Sequence, residues 1–241
     1  MKIGIIGTGT IATALVTGIA EAGHQITVSQ RSVENSAALA ARFDSVTVAD
    51  NQGVVDASDV IFLGLMADVM ADIVTPLSFR AGQRVISLSG MVALADLADW
   101  VAPATGDALM IPFPGIARGG SPVLALGNPD MIEAIFGQDN MVITMTDRAE
   151  LAAYQCAQAV LSPAITLVAE AAGWLGARVQ DPDQGEAFLR MLVGTSLMAS
   201  DCAGMLAALD TPGGFNQRLR EHMTKAGMVS DLTAGLDTLE D

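Results

Sequence analysis

The clearest chemistry lies at the start of the chain, in Lys2-Ile3-Gly4-Ile5-Ile6-Gly7-Thr8-Gly9-Thr10-Ile11-Ala12-Thr13-Ala14. The order is a short apolar run, a Gly-x-Gly-x-x-Ala turn, and then small helix-forming residues. In such a turn Gly7 permits the tight bend, and Gly9 lets the backbone approach a pyrophosphate. Ala12 lets the helix pack close to the strand. The free N–H groups of Thr8 to Ala12, at the positive end of a helix dipole, suit a diphosphate. The pattern therefore points to a dinucleotide. Lys2 followed by uncharged residues through Ala20 superficially matches a secretory leader. Against that stand glycines at 4, 7 and 9, and an amphipathic helix that runs on through Glu21 to Gly23.

A second set of residues selects the nucleotide. The next strand ends in Val28-Ser29-Gln30-Arg31-Ser32, where an NAD site usually carries Asp or Glu for the ribose 2′-hydroxyl. A carboxylate would repel a 2′-phosphate, whereas Arg31 with the hydroxyls of Ser29 and Ser32 can bind one by charge-assisted hydrogen bonds. That reading selects NADP. The bland alternative is that Arg31 and Ser32 only begin the following helix. Acids and bases for proton transfer are scarce: the lysines are Lys2 and Lys225, and the histidines His24 and His222. His222 and Lys225 share one helix face and read either as substrate-facing or as simply solvated. Reduction of a ketone needs a positioned acid, whereas an imine can enter already protonated, so the shortage favours C=N over C=O.

These residues need elements to hold them. The segments 2–6, 25–29, 46–48, 58–65 and 84–88 read as strands, with helices over 33–42 and 67–77 and a small helix or turn at Asn51. Continuous apolar strands alternating with helices predict a doubly wound, mostly parallel α/β sheet of Rossmann type. Ligands lie beyond the carboxyl ends of such strands. That rim would collect Asn51, Leu65, Met66 and Ser89 with the glycine turn. Further strands are expected over 108–115, 122–126 and 141–145, with a helix from Pro129 to Phe136. From Thr146 the pattern is helical to the end, so the expected domains are 1–146 and 147–241.

Composition narrows the partners. Of 241 residues, 51% are apolar and 16% charged, with a net charge of −15. The acidity argues against nucleic acid and anionic membranes, and the apolar excess argues for a shared surface, a homodimer or larger homo-oligomer. Cys156 and Cys202 fit no zinc spacing and read as thiols in a reducing cytosol, with no metal site expected. The uncharged run Leu151 to Ala169 contains Gln155, Gln158, Ser162 and Pro163, and reads as a buried interface helix with a break, not a membrane span. A soluble, cytoplasmic chain is expected.

Taken together the motifs resemble the pyrroline-5-carboxylate reductase family along nearly the whole chain. The opening through Ala14-Leu15, the Val28-Ser29-Gln30-Arg31-Ser32 strand end, Ser58-Asp59-Val60-Ile61-Phe62-Leu63 and Ile86-Ser87-Leu88-Ser89-Gly90-Met91 are similar to that family's segments. Asp210-Thr211-Pro212-Gly213-Gly214, similar to its Ser-Pro-Gly-Gly motif, is the most telling piece. The resemblance implies an NAD(P)H-binding domain and a helical domain that intertwines with a partner's. It also implies an active site between the cofactor and helices of the dimer domain. Within it Thr211 and Asn216 are the candidates to act at the reacting centre, and Ser162, Gly213, Gly214 and Phe215 to bind substrate. The N–H groups of the Pro212-Gly213-Gly214 turn would cradle a carboxylate; the alternative is a ligand-free helix connection.

Four segments depart from the family. Its Lys-Pro is Met66-Ala67, its Met-Pro-Asn-Thr-Pro is Ile111-Pro112-Phe113-Pro114-Gly115, and its Ser-Gly-Ser-Gly-Pro-Ala is Ala159 to Ala164. The two threonines after Gly-Gly are Phe215-Asn216. The expected function is hydride transfer from NADPH to a small cyclic imine, pyrroline-5-carboxylate or a relative. The alternative is a silent NADP-binding sensor or partner-binding protein.

Overall fold

Ile3 and Ile5 in β1 (Lys2–Ile6) bury on one face of a sheet and Ile6 on the other. β4 (Val60–Leu63) repeats this, with Phe62 on the first face and Ile61 and Leu63 on the second. This two-residue period, apolar on both sides, is that of a strand sandwiched between helix layers. The computed structural model describes residues 1–30 and 32–240. The other strands of its eight-stranded sheet are β2 (Gln25–Ser29), β3 (Val46–Ala49), β5 (Arg84–Ser87), β6 (Thr105–Pro112), β7 (Pro122–Gly127) and β8 (Met141–Met145). Their order is β3-β2-β1-β4-β5-β6-β7-β8. All neighbours are parallel except β6 and β7, where Leu109 faces Leu126 in an antiparallel register. The sheet is doubly wound and mostly parallel.

One face is covered by α1 (Thr10–Ile19), α2 (Val33–Arg42) and α6 (Asp130–Phe136), through Leu15, Val16, Ile19, Leu39 and Phe136. Phe136 meets Phe62 edge-on at 5.8 Å between ring centroids. The other face is covered by α3 (Asn51–Ala57), α4 (Ala67–Val74) and α5 (Leu94–Val101), through Val54, Val55, Met70, Val74 and Leu97. Beyond β6 the chain makes a single 3₁₀ turn, Pro114–Ala117. At the start of β5, Arg84 donates through one Nη to both oxygens of Asp107, at 2.5 and 2.6 Å. The Asp107 side chain is 2% exposed. Burial pushes its carboxyl above the usual value, while Arg84 pulls it back.

The chain divides into two compact units, 1–151 and 152–241, against an expected boundary at 146. The second unit follows α7 (Arg148–Ala157) with α8 (Leu161–Gly176), α9 (Pro182–Ala199), α10 (Cys202–Ala208), α11 (Phe215–Lys225) and α12 (Met228–Asp237). α8 and α9 pack together, yet only Ala172 and Gly185 are buried among its described residues.

The run expected as a buried interface helix is exposed within this single chain, at Leu161, Ile165 and Leu167 among others. Its break is a 3₁₀ turn at Gln158–Val160. The helical run Arg148–Gly176 is by length and composition alone sufficient to cross a membrane, with 6% of its most apolar stretch buried. Glu170 and Asp201 are both exposed, and Asp201 caps α10 by accepting from the Gly204 N–H at 2.8 Å.

Candidate functional site

The glycine turn is built from beneath. Gly7 sits at φ +92, and a Cβ there would lie 2.4 Å from the carbonyl oxygen of Gly64. Only glycine fits. Gly64 in turn donates its N–H to Ile6 at 2.8 Å, and its own Cβ would meet the Gly7 oxygen at 2.7 Å. The ends of β1 and β4 thus touch backbone to backbone. Ser29, fully buried at the end of β2, accepts from the Gly7 N–H at 2.8 Å. Its hydroxyl supports the turn from inside and does not face a 2′-phosphate, a correction to the sequence reading.

Above this support the turn is open. Gly9 is the N-cap of α1 with φ −73, makes no side-chain cap, and a Cβ there would meet nothing within 4 Å. Among the described residues nothing requires glycine at this position. The N–H groups of Thr10, Ile11 and Ala12 fall in the first helical turn, where no intrahelical acceptor exists. No acidic residue occupies that turn. Thr8 is 1% exposed, and its Oγ1 is buried without a hydrogen-bond partner among the described residues. Its carbonyl accepts from Asn35 Nδ2 at 2.6 Å, which ties α2 to the loop. An uncapped helix start, an open glycine and an orphaned hydroxyl fit a diphosphate.

Beside this turn lies an open groove of about 510 Å³, lined by Gln30, Asp50, Asn51, Val69, Asp72 and Ile73. Its floor is the carboxyl ends of β2 and β3, and Asp50 caps α3 through the Gly53 N–H at 2.7 Å. Ser32 is the N-cap of α2 without a side-chain cap bond. Arg31 lies outside the described residues. Leu65 is buried in the core and Met66 is 73% exposed at the start of α4. Ser89 donates its N–H to Ser87 Oγ at 3.1 Å, and its own Oγ accepts from the Met91 N–H at 3.3 Å. Phe113, half-buried, packs on the core. His24 accompanies the N-terminal amine, its Nδ1 at 3.3 Å, ahead of β2 and away from the glycine turn. Burial, followed by the charge of that amine, lowers its pKa. Among the described residues no cluster of three or more His, Cys, Asp or Glu is placed to hold a metal.

In the helical unit, Thr211-Pro212-Gly213-Gly214 forms a turn closed by the Gly214 N–H on the Thr211 carbonyl at 2.9 Å, with Gly213 at φ +73. Proline second and a left-handed glycine third is the type II pattern. The expected cradle needs correction: the Gly213 N–H is already taken by Gln217 Oε1 at 2.8 Å, and that of Gly214 closes the turn. The N–H groups left open by helix geometry are those of Phe215, Asn216 and Gln217, where α11 begins with no side-chain cap. Phe215 is 88% exposed. Ser162 lies elsewhere, in a groove of about 750 Å³ between α8 and α12 with Leu167, Met228, Leu232 and Leu236. The 211–216 turn contributes nothing to that groove's lining.

Residues 2–90 match the profile of the family described as NADP oxidoreductase, coenzyme F420-dependent. Across its whole length the chain superposes on a pyrroline-5-carboxylate reductase from Streptococcus pyogenes. The TM-score is 0.82 at 18% identity, covering 100% of this chain and 97% of that one. The fold is that of the pyrroline-5-carboxylate reductases. A pyrroline carboxylate reductase from Plasmodium falciparum, solved with NADP bound, gives a TM-score of 0.81 at 12% identity, covering 100% and 95%. An imine reductase from a Pseudomonas species is more distant, at a TM-score of 0.60 and 19% identity, covering 98% and 90%. No curated protein matches the sequence significantly. Within this reductase fold the supports that sequence reading missed are Gly64 and Asn35. Gly64 carried a faint signal, a glycine closing an apolar strand; Asn35 carried none.

Proposed function

We propose that the protein is an NADP-dependent reductase of small cyclic imines, with pyrroline-5-carboxylate or a related imine as substrate. The observation that carries this is the open Gly9 above an uncapped α1, with Gly7 locked below it. Thr8 to Ala12 would hold the diphosphate through their N–H groups, and Arg31 with Ser32 would select the 2′-phosphate. NADPH bound there supplies the hydride that reduces the C=N carbon. The protein's own contribution is to bind and orient. Phe215 and Asn216 offer N–H groups to a substrate carboxylate, while Thr211 and the Asn216 amide add hydrogen bonds. An imine that arrives protonated needs no general acid, which accords with the absence of lysine between residues 3 and 224. Phe113 in place of the family's amide favours a more apolar imine than pyrroline-5-carboxylate.

The test is NADPH oxidation against a panel of cyclic imines, keto acids and an oxidised deazaflavin coenzyme. Turnover is expected on at least one imine and on no keto acid. Tight NADPH binding with no imine reduced would leave the silent NADP-binding protein as the surviving description, and turnover on the deazaflavin alone would reassign the substrate. Arg31→Ala should weaken NADPH by about 10-fold or more, near 1.4 kcal/mol, while leaving NADH unchanged. Equal loss for both would remove the 2′-phosphate argument.

The same reading includes a homodimer. Trp174, Phe188, Met191, Leu197 and Met198 of the helical unit are all exposed in the single chain. Apolar surface on this scale is far beyond what scattered surface residues explain. A second copy laid on these helices would remove it from water. Sedimentation should give twice the chain mass of 24.8 kDa, and Met191→Glu with Leu192→Glu should yield monomer or aggregate. A well-behaved monomer of the unaltered protein would remove the dimer.

A further inference from the structure

The Thr211–Gly214 turn is held by side chains that its own geometry does not require. Gln217, one turn into α11, accepts the Gly213 N–H at 2.8 Å and donates through Nε2 to Asp210 Oδ1 at 3.3 Å. Arg220 donates to the same Asp210 oxygen and, through its other Nη, to the Leu206 carbonyl at 3.4 Å, in the last turn of α10. The end of α10, the turn and the start of α11 are therefore stitched together by three side chains. Gln217 uses both ends of its amide, and Arg220 anchors the chain from outside. Asp210 is bound twice at one oxygen, which fixes where Gln217 can stand.

We propose that Gln217 is a positioning residue for substrate, clamped by Asp210 and Arg220. It withdraws the Gly213 N–H from ligand binding and sets the direction of the first α11 N–H groups. Recognition of the substrate carboxylate then rests on Phe215 and Asn216, with Thr211 at the other end of the turn. This rests on the reading above that the 211–216 segment meets the substrate. Loss of Gln217 frees the Gly213 N–H and lets a left-handed glycine relax, so the anion-binding groups lose their preorganisation.

The experiment uses the full-length protein with NADPH and the cyclic imine carboxylate it reduces best. It reads Gly213 amide exchange by NMR alongside steady-state kinetics. Gln217→Ala should speed Gly213 exchange at least 10-fold and raise KM at least 10-fold. The kcat should stay within about 3-fold and the NADPH Kd within about 2-fold. Gln217→Glu alone sets two carboxylates against each other and should behave like Gln217→Ala. Adding Asp210→Asn restores the bridge, with the introduced amide donating to the introduced carboxylate, and should bring both KM and exchange back towards the parent. Faster exchange with an unchanged KM, or a raised KM that the paired substitution fails to lower, would overturn the positioning role while leaving the reductase reading intact. A parent protein that reduces no imine carboxylate overturns both, since nothing is then positioned.

Discussion

Gly9→Ala is expected to melt within about 1 °C of the parent and to lose NADPH affinity by about 100-fold, near 2.7 kcal/mol. The two halves of that expectation have separate causes. The fold tolerates the change because a Cβ at Gly9 enters open space and φ −73 suits any residue. The ligand does not, because the added methyl stands where the diphosphate must approach the first N–H groups of α1. Gly7→Ala should do the reverse. A side chain at φ +92, pressed to 2.4 Å from the Gly64 carbonyl oxygen, should cost about 3 kcal/mol of stability or more, combining backbone strain with a forced displacement of β4. Thermal melts and a fluorescence titration with NADPH separate the pair. If Gly9→Ala binds NADPH as the parent does, the diphosphate does not lie over this turn.

Asp107→Ala should lower stability by about 3 kcal/mol, the low end for a buried ion pair that loses one partner, because Arg84 stays partly solvated. Its side chain is 28% exposed against 2% for Asp107. Arg84 Nε lacks a partner among the described residues, so without Asp107 the guanidinium depends on the water that reaches its exposed part. A loss of this size shifts Tm by about 6–12 °C in a chain of this length.

The pH dependence follows from the raised Asp107 pKa, caused first by burial and opposed by Arg84. When the folded value exceeds the unfolded one, the native state binds the proton more tightly. The contribution to stability is then complete below the unfolded pKa and lost as pH rises through the folded value. Relative to Asp107→Asn, which has no proton to exchange, the parent should gain stability as pH falls from neutrality towards about pH 4. Urea midpoints for both proteins across that range check the sign. A widening deficit of the parent on acidification would mean that Arg84 outweighs burial.

What could be read from the sequence was local. The β1–turn–α1 unit was legible because glycine spacing and a change from two-residue to helical periodicity fall within a dozen residues. The parallel order of the first strands followed from their apolar runs. The reversal between β6 and β7 was hidden, since the connection through Pro112, Pro114, Gly119 and Gly120 breaks a strand without saying which way the next one runs. Contacts between distant positions were invisible for the same reason: nothing near Gly64 announces that its backbone meets Gly7. Ser29 was read as facing the ligand because a hydroxyl at a strand end faces either way, and the buried Gly7 N–H claimed it. Gly213 looked like a free donor because only the fold brings Gln217 back over it. In the helical unit the apolar spacing reads as a face for burial, yet Met191 and Trp174 are exposed in the single chain, and spacing does not tell which chain would supply a cover.

The buried bond between Ser29 and Gly7 has a consequence for how nucleotide preference can change. It fastens the end of β2 to the glycine turn from below, so the two are registered to each other by a buried contact. Gln30 and Ser32 take no part in this bond. Replacing Gln30 or Ser32 should therefore retune which ribose is accepted while the phosphate grip is inherited unchanged, a separation of roles that lets one scaffold exchange its electron carrier in few steps.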